Sequence, residues 1–559
     1  MSSGSSAREL KRFQVGGLPL IHAIARKIRL GEILTEFISP SGREEIPAAA
    51  VLYLLTVNLT LAKDPFYELG QWVDSLDLRA LGYPSRPAIR LTDDRFARAL
   101  DKLYRADRSS LLTRLVVAAV QAFEVQIPRV HNDSTTLKTY GQIPGQTESG
   151  LEMRRGHSKD HRPDLKQLVY TLSVSSDGAV PVHHHIYPGN RNDETTHIAS
   201  WEALCRIHGR ADFLYVADCK LCTQEQLAHI VAQGGRAITI LPHNLVEVRR
   251  FLDQLATAPI PKHLLWRLSK GQDGEASQSY FLFEGQYAFD HGGYPLYWYY
   301  STRKQKRDQQ SRQERIEVAR TELAALATKL NRAHLKQKPD ILRRAQAILD
   351  HYQVRRFIHL EVKAHVQHLP RRRWRRTPLR GTYQYECVTT YSLHYENNEP
   401  ALEAQARQDG VFPLLCTDPK IGPKEVLEAY KFQPRLEKRF CQLKSVHQAA
   451  PLLFKKIRRI EANLFVFFMA LLIQALLERL IRQRIAQRKS APLKLYPEDR
   501  DAPHPTTSQV FKTFDGLYSY MLTENGHSME QFRDPLNDTQ RAVLALLDMS
   551  EQEFWNPIF

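Results

Sequence analysis

The stretch "IPRVHNDSTTL", residues 127–137, is where the chain changes its rhythm. Up to Glu124 the apolar residues recur with a helical period. Ile21, Ile24, Ala25 and Ile28 share one face, Pro47 opens the apolar run 47–62, and Thr92 caps "DDRFARALDKLYRA". From Ile127 the pattern turns to short strands: 127–137, "LKQLVYTLSVSS" (165–176), "GAVPVHHHIYPG" (178–189), "ADFLYVAD" (211–218) and "RAITILP" (236–242). Helices from Thr195 to about Ile207 and in "TQEQLAHIVAQ" (223–233) separate the later strands. Three strands in succession, then strands alternating with helices, predict a mixed α/β sheet behind a helical N-terminal domain of residues 1–124.

The sheet pattern lapses between 244 and 405. Aromatic-rich strands in "SYFLFEGQYAFDHGGYPLYWYY" (279–300) precede a charged helical hairpin turning near Lys338 and Pro339, with a seam of Ile316, Leu323, Leu326 and Leu330 on its first arm. The strand "GVFPLLCT" (410–417) and the helices after it restore the α/β character. The expected organisation is one α/β domain in two parts, 125–243 and 406–490, interrupted by a strand-and-hairpin insertion, 244–405, and followed by a C-terminal helical region, 491–559.

A chain of 559 residues, 43% hydrophobic, can bury several cores. Its 78 Lys and Arg against 61 Asp and Glu give a formal charge of +17, which favours a polyanionic partner, above all nucleic acid. Six cysteines in so long a chain do not form a disulfide framework, and "MSSGSSARELKRF" lacks the apolar segment of a signal peptide, so a reducing cytosol is expected. The apolar run "LFVFFMALLIQALL" (464–477) is short for a membrane span and reads as a core helix.

Asp133 and Asp218 fall at the ends of the first and fourth strands. If those strands are neighbours, the two carboxylates meet. "LEAYKFQPRLEKRFCQLKS" (427–445) reads as an amphipathic helix in which Tyr430, Glu437 and Lys444 recur every seven residues and form a polar stripe beside Phe432, Leu436, Phe440 and Leu443. Taken alone, that stripe is an ordinary solvated face and each aspartate a turn residue. Taken together, three convergent carboxylates are a seat for hard divalent cations, and two such ions suit phosphodiester chemistry.

With these residues in hand, the chain resembles DDE insertion-sequence transposases with a ribonuclease-H-like core, the subgroup whose third acid lies in a Tyr-x2-Arg-x3-Glu-x6-Lys signature. Tyr430, Glu437 and Lys444 match it; Gln433 stands at the Arg position, and Pro434 fits the first turn of a helix, so Tyr430 can precede a break. "GHSKDHRPDLKQL" (156–168), "YPGNRNDETT" (187–196) and the insertion extend the likeness over most of the chain. The resemblance implies that Asp133, Asp218 and Glu437 are the catalytic, metal-binding triad for Mg²⁺ or Mn²⁺, two ions in all. It implies that Lys444, with Tyr430 and Gln433, meets DNA near the scissile end. It further implies binding of terminal inverted repeats and target DNA by a homodimer on paired ends, with part of the end recognition carried by the helical domain of residues 1–124, cleavage with strand transfer, and a place at the nucleoid of a prokaryotic cytoplasm. A nuclease of the same fold that does not transpose, and a catalytically inactive DNA-binding relative, are the alternatives.

Other motifs carry weaker signals. "PRRRWRRTPLR" (370–380) sets Arg371, Arg372, Arg373, Arg375 and Arg376 around Trp374 and suits phosphate binding. The run His183–His185 reads as a structural strand, the lone "CKLC" (219–222) lacks a second pair of cysteines, Asp193 reads as a helix cap, and Trp266 and Trp298 read as core.

Overall fold

The computed structural model describes residues 8–557 except 41, 43, 84–90, 142, 160–161, 269–277, 333, 373–382, 447–448, 450–453, 489–492, 497, 499 and 526. The chain is mixed α/β and divides into two compact units, Met1–Thr239 with Glu428–Phe559, and Ile240–Leu427.

The first unit begins with strand β1 (Arg8–Gln14) and helices α1 (Leu18–Lys27), α2 (Leu30–Phe37), α3 (Ala48–Thr60), α4 (Leu69–Ser75), α5 (Asp93–Arg105) and α6 (Arg108–Phe123). Helix α3 is apolar on every side and is therefore interior; its Thr56 and Thr60 hydroxyls return to the carbonyls of Leu52 and Thr56, each at 2.8 Å. Next come β2 (Arg129–Lys138), β3 (Gln167–Ser175), β4 (Pro181–Pro188), α7 (His197–His208), β5 (Leu214–Ala217), α8 (Gln224–Ala232) and β6 (Arg236–Ile240). The strands lie in the order β4-β3-β2-β5-β6, antiparallel on the β3–β4 side of β2 and parallel on the β5–β6 side. Every residue of β3 is buried, as expected of a strand covered on both faces.

The second unit contains α9 (Val246–Thr257), β7 (Lys262–Leu268), β8 (Gln278–Phe283), β9 (Tyr287–Ala288), β10 (Pro295–Ser301), α10 (Thr302–Ala327), α11 (Lys338–His351), β11 (Ile358–Arg372), β12 (Tyr383–Asn397), α12 (Glu399–Gln408) and β13 (Val411–Cys416). Strands β13, β10, β8 and β7 pair antiparallel in that order. The expected seam of Ile316, Leu323, Leu326 and Leu330 is buried and meets Ile341, Ala345 and Leu349 of α11 in one apolar cluster. Arg312 and Asp409 form a buried two-pronged ion pair, both contacts at 2.7 Å. Strands β11 and β12 make a two-stranded ribbon: Ile358 and Val362 anchor its base in the apolar cluster, while Val366, Leu369 and Tyr385 are exposed further out.

Helix α13 (Pro423–Tyr430) spans the boundary. The first unit then resumes with α14 (Gln433–Cys441), a π-helical turn (Gln442–Val446), α15 (Ile457–Arg488), β14 (Leu493–Lys494), β15 (Asp501–Ala502), α16 (Thr507–Phe514), β16 (Tyr518–Glu524), β17 (His527–Arg533), α17 (Asp538–Leu546) and α18 (Glu551–Trp555). By length and composition α15 could cross a membrane, but 94% of its apolar window is buried inside the protein, so it is the core helix its sequence suggested. The region after 491 was expected to be helical, yet β16 and β17 form a hairpin with Asn525 at φ 52° in its turn, and β1 pairs along β16 from Arg8–Glu524 to Gln14–Tyr518. The Asn-Gly at 525–526 is the sequence signal for that turn. Residues 8–123 are thereby tied to the C-terminal segment: Ser519 Oγ donates to Asp77 Oδ2 at 2.6 Å, and Asp101 of α5 binds Arg458 and Arg459 of α15.

Candidate active site

Strands β2 and β5 are parallel neighbours, pairing Val130 with Tyr215 and His131 with Val216. Continued two residues further, just past the end of β5, the same register sets Asp133 level with Asp218. Asp133 is not at a strand end as the sequence suggested. Strand β2 runs on to Lys138 because β3 continues to pair with it, Asp133 opposite Leu172. The opening lies on the other side, where β5 stops at Ala217. Asp218 turns the chain there: its Oδ1 accepts the Lys220 N–H at 3.1 Å, and its carbonyl accepts the Thr239 hydroxyl at 2.6 Å.

The two carboxylates are not equivalent. Burial holds Asp133 above the usual carboxylate range; Lys159 works against that shift and the negative charge of Asp218 adds to it. Burial pushes Asp218 the same way, but His197, the Lys220 N–H and Lys159 outweigh it and hold Asp218 below the usual range. Lys159 Nζ lies 3.2 Å from Asp133 Oδ1 and donates to the Ser134 carbonyl at 2.7 Å.

Buried His197 is oriented by a polar chain. Ser173 Oγ donates to Asn132 Oδ1 at 2.8 Å, which turns the Asn132 amide nitrogen towards His197 Nδ1, 3.5 Å away; the Tyr215 hydroxyl lies 3.2 Å from the same ring nitrogen. With both groups donating to Nδ1, a ring hydrogen belongs on Nε2, 3.6 Å from Asp218 Oδ1. Neither His197 nor Lys159 was singled out from the sequence, and nothing in local spacing marks them.

The stretch 427–445 is not one helix. Helix α13 ends at Tyr430, α14 begins at Gln433, and the chain widens into the π-turn at Gln442, so the three-residue stripe is interrupted twice. Pro434 explains the first break, since it lacks an N–H and fits an opening turn. The first turn of α14 is joined to β2 by Gln433, whose amide donates to the Asn132 carbonyl at 3.4 Å, one residue before Asp133. Leu436, Arg439 and Phe440 face inward and leave Glu437 exposed. Arg439 fixes the helix: buried, it pairs with Glu478 of α15 at 2.8 Å and donates to the carbonyls of Gly178 and Ala179, each at 3.0 Å. Lys444 is half-buried in the π-turn.

Tyr430 relates the acids to one another. Burial raises its phenol well above the usual range, and the charges of Asp218, Cys219, Asp133 and Glu437 raise it further, so all three acids lie within electrostatic reach of one side chain. Among the described residues, no three His, Cys, Asp or Glu side chains are grouped closely enough to hold a metal ion, so Glu437 stands back from the aspartates. The aspartate pair itself fits a hard divalent cation. It offers oxygen donors from β2 and from the turn that follows β5, and the ionisation of one is opposed by burial and by the other's charge, a repulsion that a bound cation relieves.

The remaining motifs are distributed elsewhere. His184 stacks on Tyr170 and packs near Phe468 of α15, and buried His183 lies on the same strand; among the described residues neither belongs to a group of three His, Cys, Asp or Glu that could hold a metal. Cys219 is half-buried and Cys222 buried, and neither is in a disulfide. Asp193 opens a 3-10 turn, Asp193–Thr196, and α7 begins only after Thr196, one short turn later than the sequence suggested. Trp298 is buried and stacked on Phe251, and Trp266 is stacked on Tyr280. Arg371 and Arg372 end β11, while Arg373, Arg375 and Arg376 lie outside the described residues.

Residues 10–117 match a family model described as a domain of unknown function (DUF4277). No curated protein matches the chain. Among solved structures, the chain is similar to one described as a piggyBac transposase synaptic complex with hairpin DNA, at 9% identity and a TM-score of 0.28. That similarity covers 50% of this chain and 63% of the other.

Proposed function

We propose that this protein is a DDE transposase with a ribonuclease-H-like core, which binds the terminal inverted repeats of an insertion sequence as a dimer, cleaves them and joins them to target DNA. One observation carries the reading: the register of β2 on β5 brings Asp133 level with Asp218, just past the end of β5, and α14, which carries Glu437, is joined to β2 beside Asp133 through Gln433. The strand arrangement supports it, because the first and fourth strands of the sheet are neighbours, as such a core requires. The charge of +17 supports a DNA partner.

When bound, Mg²⁺ or Mn²⁺ supplies an activated water or 3′-hydroxyl and neutralises charge on the phosphate and the leaving oxygen. Asp133 and Asp218 provide the seat, and Glu437 completes it by a movement of its exposed side chain. His197 keeps the Asp218 carboxylate oriented. Gln433 ties α14 to the strand carrying Asp133, so the two parts of the site stay in register. Lys444 and the arginines around Trp374 hold DNA.

The test is cleavage and strand transfer on the DNA flanking the coding region, with the metal supplied. Asp133→Asn, Asp218→Asn and Glu437→Gln should each lower cleavage by at least about a thousandfold while end binding stays within a few-fold. Strong cleavage by Glu437→Gln removes that residue from the triad. Cleavage without transfer favours a nuclease.

A further inference from the structure

Lys159 occupies a place that the proposed chemistry leaves unexplained. It lies in the connection between β2 and β3, and its backbone is fixed: the Lys159 N–H donates to Thr136 Oγ1 at 3.2 Å. From there the ammonium reaches back along β2 to the Ser134 carbonyl at 2.7 Å and Asp133 Oδ1 at 3.2 Å. It also attracts Asp218. The side chain is one-third exposed, at 33%, so it has a way out to solvent. A lysine ammonium is a compact point charge on a flexible stem, suited to leaving a site that its backbone does not leave.

The charge balance of the pair gives this placement a meaning. Two carboxylates level with each other, one on β2 and one just past the end of β5, repel, and one ammonium offsets only part of their charge. A divalent cation offsets more, and it cannot share Asp133 with an ammonium without repulsion. Resting on the metal-site reading above, we propose that Lys159 is the resident counter-ion of the Asp133–Asp218 pair and that a divalent cation displaces its ammonium on binding. The metal-free protein is thereby protected against self-repulsion at the site, and the affinity for metal is set partly by this competition.

Binding of Mn²⁺ to the full-length protein, followed by electron paramagnetic resonance without DNA, tests this. The relevant ion is the one that Asp133→Asn and Asp218→Asn lose. Lys159→Met should bind it roughly tenfold more tightly than wild type, from the removal of a unit charge a few ångströms from a dication, and Lys159→Arg should stay within about threefold. Unchanged or weaker binding by Lys159→Met overturns the displacement while leaving the metal site standing. If instead both aspartate variants keep the ion, the metal-site reading fails and this inference with it. Should Lys159→Met not fold, wild type alone decides: Mn²⁺ should raise reductive methylation of Lys159, read by peptide mass spectrometry, at least about threefold, as an ammonium freed from its ion pair becomes accessible. No rise overturns the proposal.

Discussion

Glu437 is placed by its neighbour. It is exposed and makes no part of the core, whereas Arg439, two residues on, is buried in an ion pair with Glu478 that also takes in Thr507 and Gln442. Removing one partner of such a pair leaves a buried charge without its counter-ion and costs about 3–5 kcal/mol. Glu478→Gln should lower stability by that amount at neutral pH, measured by denaturant unfolding, and should also lower cleavage because α14 loses its anchor. Burial acts against Glu478 most strongly, but Arg439, Arg482 and the Thr507 N–H hold its carboxyl below the usual range. Its contribution is thus present above the unfolded-state value, about 4.3, and is lost as the pH falls through the folded one, so the difference between wild type and variant should shrink in acid. At this scale the strand contexts were partly readable: Asp218 does follow the end of β5, whereas β2 runs on past Asp133. Lys159 and His197 were not readable, because each acts through a partner that only the fold brings near: Lys159 through Asp133, and His197 through Asp218.

Elements were legible where their period was strong and their ends were marked. The strands of the first sheet, the α10 seam and the buried α15 all followed from apolar spacing. The division of 427–445 was half-legible: Pro434 announced the first break, but a π-turn has no residue signature comparable to proline, and Gln442 gave no warning. The joint between α5 and α15 could not be read at all, since Asp101 looks like one more solvent-facing acid on an amphipathic helix. In the fold Asp101 receives Arg459 at 2.7 Å and Arg458 at 2.9 Å. Burial opposes its charge, yet the two guanidiniums prevail and hold it at about 2. A depressed carboxyl stabilises the fold above its unfolded-state value and loses that effect as the pH falls to its folded one. Asp101→Asn should therefore cost about 1–2 kcal/mol at neutral pH, discounted for the partial exposure of Arg458, and the cost should fade between about pH 4 and 2. Thermal unfolding across that range measures it.

At the scale of the whole molecule, the tie between the chain's two ends changes how DNA recognition has to be tested. Strand β1 pairs with β16, and the N-terminal helices cover α15, so cutting away residues 1–122 would expose the most apolar helix of the chain rather than isolate a recognition domain. Binding is better probed through charge that does not support the fold. Arg371 and Arg372 end β11, on a ribbon that is anchored at its base and exposed further out, and Arg373, Arg375 and Arg376 follow them in sequence; replacement of the five should leave stability unchanged. Replacing Arg371, Arg372, Arg373, Arg375 and Arg376 by alanine should weaken DNA binding and flatten its dependence on salt, because each phosphate neutralised contributes about 0.9 to the log–log slope. If most of the five engage the backbone, the slope should fall by about three to four units. Lys444→Ala should differ in kind: half-buried and close to Glu437 in sequence, it should slow single-turnover cleavage at saturating protein while changing the slope by about one unit at most. Binding measured at several salt concentrations for both variants separates them, and an arginine variant that keeps the wild-type slope would mean that the cluster does not engage DNA.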